Sequence, residues 1–262
     1  MSSWGNKHSQ RSQRSQRSQY TLINDAVVCA IALEEDLYID EWIKYNIALG
    51  FSHIYIYDNG GTLKDKKSDR VTVIPFPGEM KMLQSRDIFT AQYKNKHKWC
   101  AFIDIDEFIV LKKHNHIMEF LNEYDYDSIA LNWLMFGTSN EKEYRDEPVT
   151  KRFRYCSISD GYKCISKLKS INIHISSHKP QIKGHIYDTN RNIVTELYNK
   201  GDYNIACIHH YWTKSEEEFK LKLQKRMADE HPKRSMGLLI DIHSKNNDVY
   251  NSDAWDFFKL TI

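Results

Sequence analysis

Cysteine is sparse and unpaired. Cys29, Cys100, Cys156, Cys164 and Cys207 are odd in number, widely scattered and never in a CxxC spacing. That excludes a disulfide framework or a zinc knuckle as the working expectation and points to a reducing compartment. Cys29 and Cys100, set in apolar runs, read as buried, inert thiols. No run of about 18 consecutive apolar residues exists, so no transmembrane helix is expected. Near the N-terminus there is no apolar core of a signal peptide, and the expected localisation is cytoplasmic. A surplus of one charge is missing too. Lys plus Arg number 37 and Asp plus Glu 35, a formal net charge of +2. Phosphate-backbone binding needs a cation surplus, so nucleic acid is not an expected partner.

What is present describes a globular chain. Its 262 residues are enough for one large domain with a full core. Hydrophobic residues make up 41%, and the 13% of aromatics suit a protein that lines a groove as well as fills a core. Ser9 to Gln19 repeats a Ser-Gln-Arg triplet with no apolar face. Residues 1–20 are therefore expected to be a disordered tail, and residues 21–262 one folded domain.

From there strands and helices alternate. Ala26 to Ala32 is a continuous apolar run, expected of a strand covered on both faces. Ile39, Trp42, Ile43 and Ile47 follow at helical spacing, with Asp36 as the expected N-cap and Gly50 as C′. Strands are expected at His53–Tyr57, Val71–Ile74 and Trp99–Ile103, with a helix from about Ser85 to Lys96. This alternation predicts an α/β fold, a doubly wound, mostly parallel sheet with helices on both faces. Ligands of such sheets bind beyond the carboxyl ends of the strands. The residues there are Glu34 and Glu35, then Asp58 and Asn59, then Asp104 and Asp106.

Asp104-Ile105-Asp106 is the most informative of these. In extended backbone, residues i and i+2 point the same way, so both carboxylates are expected to face one spot. Two like charges in a half-buried site need a cation, and oxygen ligands select Mg²⁺ or Mn²⁺, which bridge to phosphates. The bland alternative is a helix N-terminus carrying acids.

Four blocks in this chain resemble glycosyltransferase family 92. They are Glu35–Trp42 running into Leu49–Asn59, the Asp-Ile-Asp-Glu-Phe stretch within Phe102–Phe108, Asn132–Ser139, and His209-His210-Tyr211-Trp212-Thr213-Lys214-Ser215. The resemblance implies a GT-A fold and inverting transfer of a sugar from a nucleotide donor, UDP-galactose in characterised members. A glycan or glycoprotein would be the acceptor. It further implies that Glu35 and Asp58 meet the nucleotide, that Asp104 lies by ribose and metal, and that Asp106 holds the metal. His210 would complete the metal shell, with His209 able to exchange for it. Gln84 matches a family glutamine ahead of the helix before the Asp-x-Asp strand. The chain departs from the family at Leu33-Glu34-Glu35, where Lys-Asn-Glu is usual, which sets an extra acid near the nucleotide. Animal members also carry an N-terminal membrane anchor that is not visible here, so the chain reads as a trimmed catalytic domain.

The chemistry can be assigned residue by residue. A divalent cation neutralises the departing diphosphate, and an imidazole in its shell favours Mn²⁺ over Mg²⁺. Arg86, Lys167 and Lys169 could add charge there or be ordinary solvated cations. His178 resembles a family histidine near the acceptor groove. Inversion needs a base, for which Glu141 is preferred over Glu143 and Asp160. Trp133, Phe136 and Trp212 could stack on a sugar ring or belong to the core. Ser215 with Glu218 makes a capping box opening a helix over Phe219–Met227. The rival readings are a haloacid-dehalogenase-type phosphatase, whose Asp-x-Asp normally lies on the first strand, and a non-catalytic carbohydrate-binding domain of the same fold.

Overall fold

The structure, a computed structural model, describes residues 23–224, Gly237 and 246–262. The expected N-terminal tail and the end of the expected Phe219–Met227 helix lie outside those residues.

The first half builds a parallel sheet. Strands β1 (Ile23–Ala32), β2 (His53–Asp58), β3 (Val71–Pro75) and β4 (His97–Phe102) lie in the order β3-β2-β1-β4, all parallel. Two helices flank them, α1 (Ile39–Ala48) and α2 (Met82–Tyr93). Successive β1 side chains turn to opposite faces. Ala26, Val28, Ala30 and Ala32 pack with Trp42 and Tyr45 of α1. Val27, Cys29 and Ile31 pack with Met82 and Phe89 of α2. The strand is thus covered on both sides, as its unbroken apolar run predicts.

Local ends differ from expectation in two places. Tyr38, not Asp36, holds the N-cap position of α1, and the Asp36 carboxylate instead accepts a hydrogen bond from the Thr62 hydroxyl. Helix α2 starts at Met82, one turn before the expected Ser85, because Met82 joins the apolar layer under β1. Gly50 does follow α1, at φ 103. A Cβ there would sit 2.1 Å from His116 Nε2, so glycine is required twice over.

The second half adds β5 (Glu107–Leu111), α3 (Ile117–Glu123), β6 (Ser128–Phe136), α4 (Val149–Arg152) and β7 (Tyr155–Lys167). After these come β8 (Ile171–His174), β9 (Pro180–Ile182), β10 (Ile186–Tyr187), β11 (Ala206–His210), α5 (Glu216–Gln224), β12 (Val249–Tyr250) and α6 (Asp253–Phe258). The main sheet continues β4-β7-β6-β11-β5. Here β7 runs antiparallel to both β4 and β6, while β11 is parallel to β6 and antiparallel to β5. The sheet is therefore mixed, with a parallel half as expected and an antiparallel strand wedged beside β4. All five cysteines are buried and free, and no helix among the described residues is long and apolar enough to cross a membrane.

Candidate active site

The chain leaves β4 at Phe102 and comes back as β5 at Glu107, with the Glu107 N–H donating to the Asp104 carbonyl at 3.0 Å. Asp104-Ile105-Asp106 is thus a tight turn, not extended strand. The expectation that both carboxylates face one spot is corrected accordingly, since a turn splays residues that a strand would align.

Asp104 points toward α2 and β7. Its Oδ2 accepts from Lys163 Nζ at 2.8 Å, and its Oδ1 lies 3.4 Å from Arg86 Nη2. Burial pushes its carboxyl up, but Lys163 and Arg86 outweigh that and hold it below the usual range. Asp106 points toward β11 and α5. Its Oδ1 lies 3.4 Å from His210 Nε2, and its Oδ2 accepts from Lys222 Nζ at 2.8 Å. There too burial opposes ionisation, yet Lys222 and His210 keep the carboxyl well below the usual range.

Glu107 joins the two branches. It is fully buried, and its Oε2 accepts from the Asp104 N–H at 2.8 Å while lying 3.7 Å from Lys163. Its Oε1 and His210 Nδ1 have no hydrogen-bond partner and face each other at 3.9 Å. Burial and the Asp104 charge raise the Glu107 carboxyl to about 7, against the pull of Lys163.

Strand alternation separates the two histidines. On β11, His210 stands opposite Glu107 and His209 opposite Phe108. His210 looks into the acidic turn, its ring 4.6 Å from that of Trp133. His209 looks into the core, packed on Phe136 at 4.6 Å and 3.3 Å from the Tyr211 hydroxyl. Burial lowers its imidazole to about 3.

Two donors on one cation, each at about 2.1 Å, stand roughly 3 to 3.5 Å apart. Asp106 Oδ1 and His210 Nε2 meet that spacing, and Glu107 stands behind the imidazole, its Oε1 3.9 Å from Nδ1 and so beyond hydrogen-bond reach. Asp106 Oδ1 and His210 Nε2 thus offer two donors at the spacing a divalent cation would need, while Asp106 Oδ2 is taken by Lys222. Among the described residues no three His, Cys, Asp or Glu side chains gather into one metal-binding group. Asp104, with its oxygens engaged by Arg86 and Lys163, is not arranged as a third ligand.

The other expected residues fall at varying distances from this centre. Trp133 lies beside it, its ring 4.9 Å from His178 and 5.9 Å from Lys163 Nζ. His178 is half-buried and bonded to the Tyr162 carbonyl, and burial together with Lys163 lowers its imidazole to about 4. Phe136 is corrected to a core residue: it is fully buried between His209 and Tyr211 on the other face of β6. Asp58 spends both carboxylate oxygens on its own turn, accepting from Gly61 N at 2.7 Å and Leu63 N at 3.0 Å. Gln84 sits in the exposed first turn of α2, bonded to Lys81. Glu141 pairs with Arg145 in the loop after β6. Trp212 packs edge-on against Phe219, with Lys222 Nζ 5.3 Å from its ring.

A cavity of about 230 Å³ opens next to Lys222. The Glu34-Glu35 loop and Tyr38 line one side, and Lys214, Glu217 and Leu221 the other. Expected Glu35 thus faces the same space as the cation that pairs with Asp106.

Lys163, Lys222 and Glu107 are the site residues missed in the sequence. Of the lysines on β7, Lys167 was considered; it lies opposite Trp99, at the start of β4, and pairs with Asp125. Lys163 is on the same face of antiparallel β7 but four residues, about 13 Å, nearer the carboxyl end of β4. The signal available was a lysine flanked by Tyr162, Cys164 and Ile165 in the buried stretch of a strand.

Known proteins resemble this chain as follows. The family model described as glycosyltransferase family 92 matches residues 81–239. A glycosyltransferase family 92 protein of Ricinus communis is 22% identical over 227 residues, covering 78% of this chain. The chain spans 38% of the length of that relative. Among solved structures, the bifunctional IspDF from Campylobacter jejuni aligns over 66% of this chain and 52% of its own, with a TM-score of 0.38 and 13% identity. The S. aureus TarS 1–349 structure aligns over 55% and 47%, with a TM-score of 0.35 and 15% identity.

Proposed function

This chain belongs to glycosyltransferase family 92, and from that premise we propose that it moves a sugar, galactose first among candidates, from a UDP-sugar to a hydroxyl of a glycan or glycoprotein. The transfer is metal-dependent and inverting. The observation that carries this reading is the convergence of Asp106 Oδ1 and His210 Nε2, 3.4 Å apart, beyond the carboxyl end of β4.

When bound there, Mn²⁺ or Mg²⁺ would neutralise charge growing on the departing diphosphate. Asp106 is kept ionised for that task by Lys222 and His210. Glu107 stands behind His210, placed to orient its ring once the 3.9 Å gap to Nδ1 closes to a hydrogen bond. Asp104, braced by Arg86 and Lys163, is the proposed ribose contact. Trp133 and His178 form the sugar-facing wall, and Glu35 the nucleotide side. Glu141 is the proposed base; to take the acceptor proton its carboxylate has to leave Arg145.

The test is a panel of nucleotide sugars assayed with Mn²⁺ and with EDTA. Turnover of a UDP-sugar should vanish with chelator and fall at least about 100-fold in Asp106→Ala and His210→Ala. His209→Phe, altered on the core face, should keep its Mn²⁺ requirement unchanged. Turnover indifferent to EDTA, or hydrolysis of generic phosphate esters in place of transfer, would overturn the reading.

A further inference from the structure

The β8–β9 hairpin stands outside the main sheet. Its strands pair with each other as a separate two-stranded sheet, so no backbone ladder sets its place beside the site. Side chains do that instead. At the root, Asp87 accepts from the His174 N–H at 2.9 Å and meets its Nδ1 at 2.9 Å. At the tip, Arg86 Nη1 donates to the Ser177 carbonyl at 2.7 Å, and His178 Nδ1 lies 3.2 Å from the Tyr162 carbonyl. Between the tip and Phe102 and Cys164 of the main sheet there remains a cavity of about 10 Å³, room for one water at most.

Of these ties, Arg86 alone also reaches the acidic turn. Its Nη2 lies 3.4 Å from Asp104 Oδ1, and its side chain is only 5% exposed. A guanidinium so enclosed, with both Nη groups engaged, is placed to join two parts of the protein and not to add charge at a diphosphate, as the sequence allowed. It is planar and rigid, so its two arms fix the Ser177 carbonyl and the Asp104 carboxylate relative to each other. An ammonium, a single point charge, cannot. The joined parts serve different sides of the proposed transfer. Asp104 is the ribose contact, and the residue after Ser177 is His178, its ring 4.9 Å from Trp133 in the sugar-facing wall. At 3.4 Å the Asp104 contact is longer than the about 2.7–2.9 Å of a charge-assisted hydrogen bond, slack that a donor engaging Asp104 can take up.

We infer that Arg86 is a positioning residue: acting through the Ser177 carbonyl, it seats the hairpin tip, and His178 with it, against the Asp104 turn. This rests on the UDP-sugar reading above and adds to it a link between the donor turn and the sugar-facing wall. Once ribose holds Asp104, the guanidinium has a fixed anchor, and the Ser177 carbonyl it grips is steadied in turn. Without the second arm the tip keeps only the His178–Tyr162 contact, and the wall loosens.

The test uses the full chain with Mn²⁺ and takes UDP as the probe. Arg86→Lys keeps a cation beside Asp104 and loses the second arm, and urea denaturation checks that it folds. Exchange of the Ser177, His178 and Lys179 amides should run about 10-fold faster in that variant, the effect of losing one charge-assisted hydrogen bond. The His178 imidazole, held at about 4 chiefly by burial, should rise toward 6.5 in an NMR titration. UDP affinity should stay within about tenfold, because the charge at Asp104 remains. In wild type UDP should slow exchange at the tip, and in Arg86→Lys it should not. An unchanged tip in the variant would overturn the assignment. So would a greater loss of UDP affinity, which would make Arg86 a donor ligand. Should the variant not fold, wild-type exchange decides alone, and a tip that saturating UDP does not slow overturns the inference. Wild-type protein that binds no UDP overturns the donor reading itself, a distinct result.

Discussion

His174 is folded as a neutral imidazole. Burial, and next the Arg86 charge, lower it to about 4, although Asp87 bonds it at 2.9 Å. Unfolded histidine titrates near 6.5, so between pH 6.5 and 4 the unfolded chain binds the extra proton and stability falls as pH falls. At pH 5 the loss from this one group is on the order of 1–2 kcal/mol. Urea midpoints at pH 7.5 and pH 5 should therefore converge in His174→Gln relative to wild type; an unchanged difference would show that His174 is not responsible. At this scale the sequence was legible in part. It marked Asp106 and His210 but left His209 open, because only the pairing of β11 with β5 tells which histidine faces the turn. Lys163 and Lys222 stand 59 and 116 residues from the aspartates they neutralise, beyond the reach of any local pattern.

Helix α5 shows how one carboxylate secures a whole element. The Ser215–Glu218 capping box forms as its sequence spacing predicts, with Glu218 N donating to Ser215 Oγ at 3.2 Å and Ser215 N to Glu218 Oε2 at 3.1 Å. The same Glu218 pairs with Arg152 of α4, whose side chain is wholly buried, and with Tyr38 ahead of α1. Ser215→Ala should cost about 1 kcal/mol, the value of a cap. Glu218→Ala should cost about 3–5 kcal/mol, because it strands a buried guanidinium. Equilibrium denaturation compares them directly, and equal losses would mean that the Arg152 pair adds nothing. The box was readable because its partners are three residues apart. The start of α1 was misread because Asp36 is drawn off by Thr62, a residue 26 positions away.

For the whole molecule, the apolar runs and their spacing predicted the parallel half, since a strand buried on both faces leaves a mark in its own residues. The wedging of antiparallel β7 between β4 and β6 left no such mark. Strand order is settled by which surfaces remain to be covered, and that depends on every element at once. A ligand that binds only the folded state stabilises all of it. Mn²⁺ at about 100 times its dissociation constant should thus add about 2.7 kcal/mol to unfolding. The gain should disappear in Asp106→Asn, and an equal gain in that variant would place the ion elsewhere.

The acidic turn and the imidazole that meets it lie about a hundred residues apart, joined only through the last long strand of the sheet. A ribosome therefore delivers the acids well before their partner. Until β11 has threaded in between β6 and β5, a nascent chain can own a complete parallel half of the sheet and still lack the Asp106–His210 pair, so that pair assembles only after the second half of the sheet has formed.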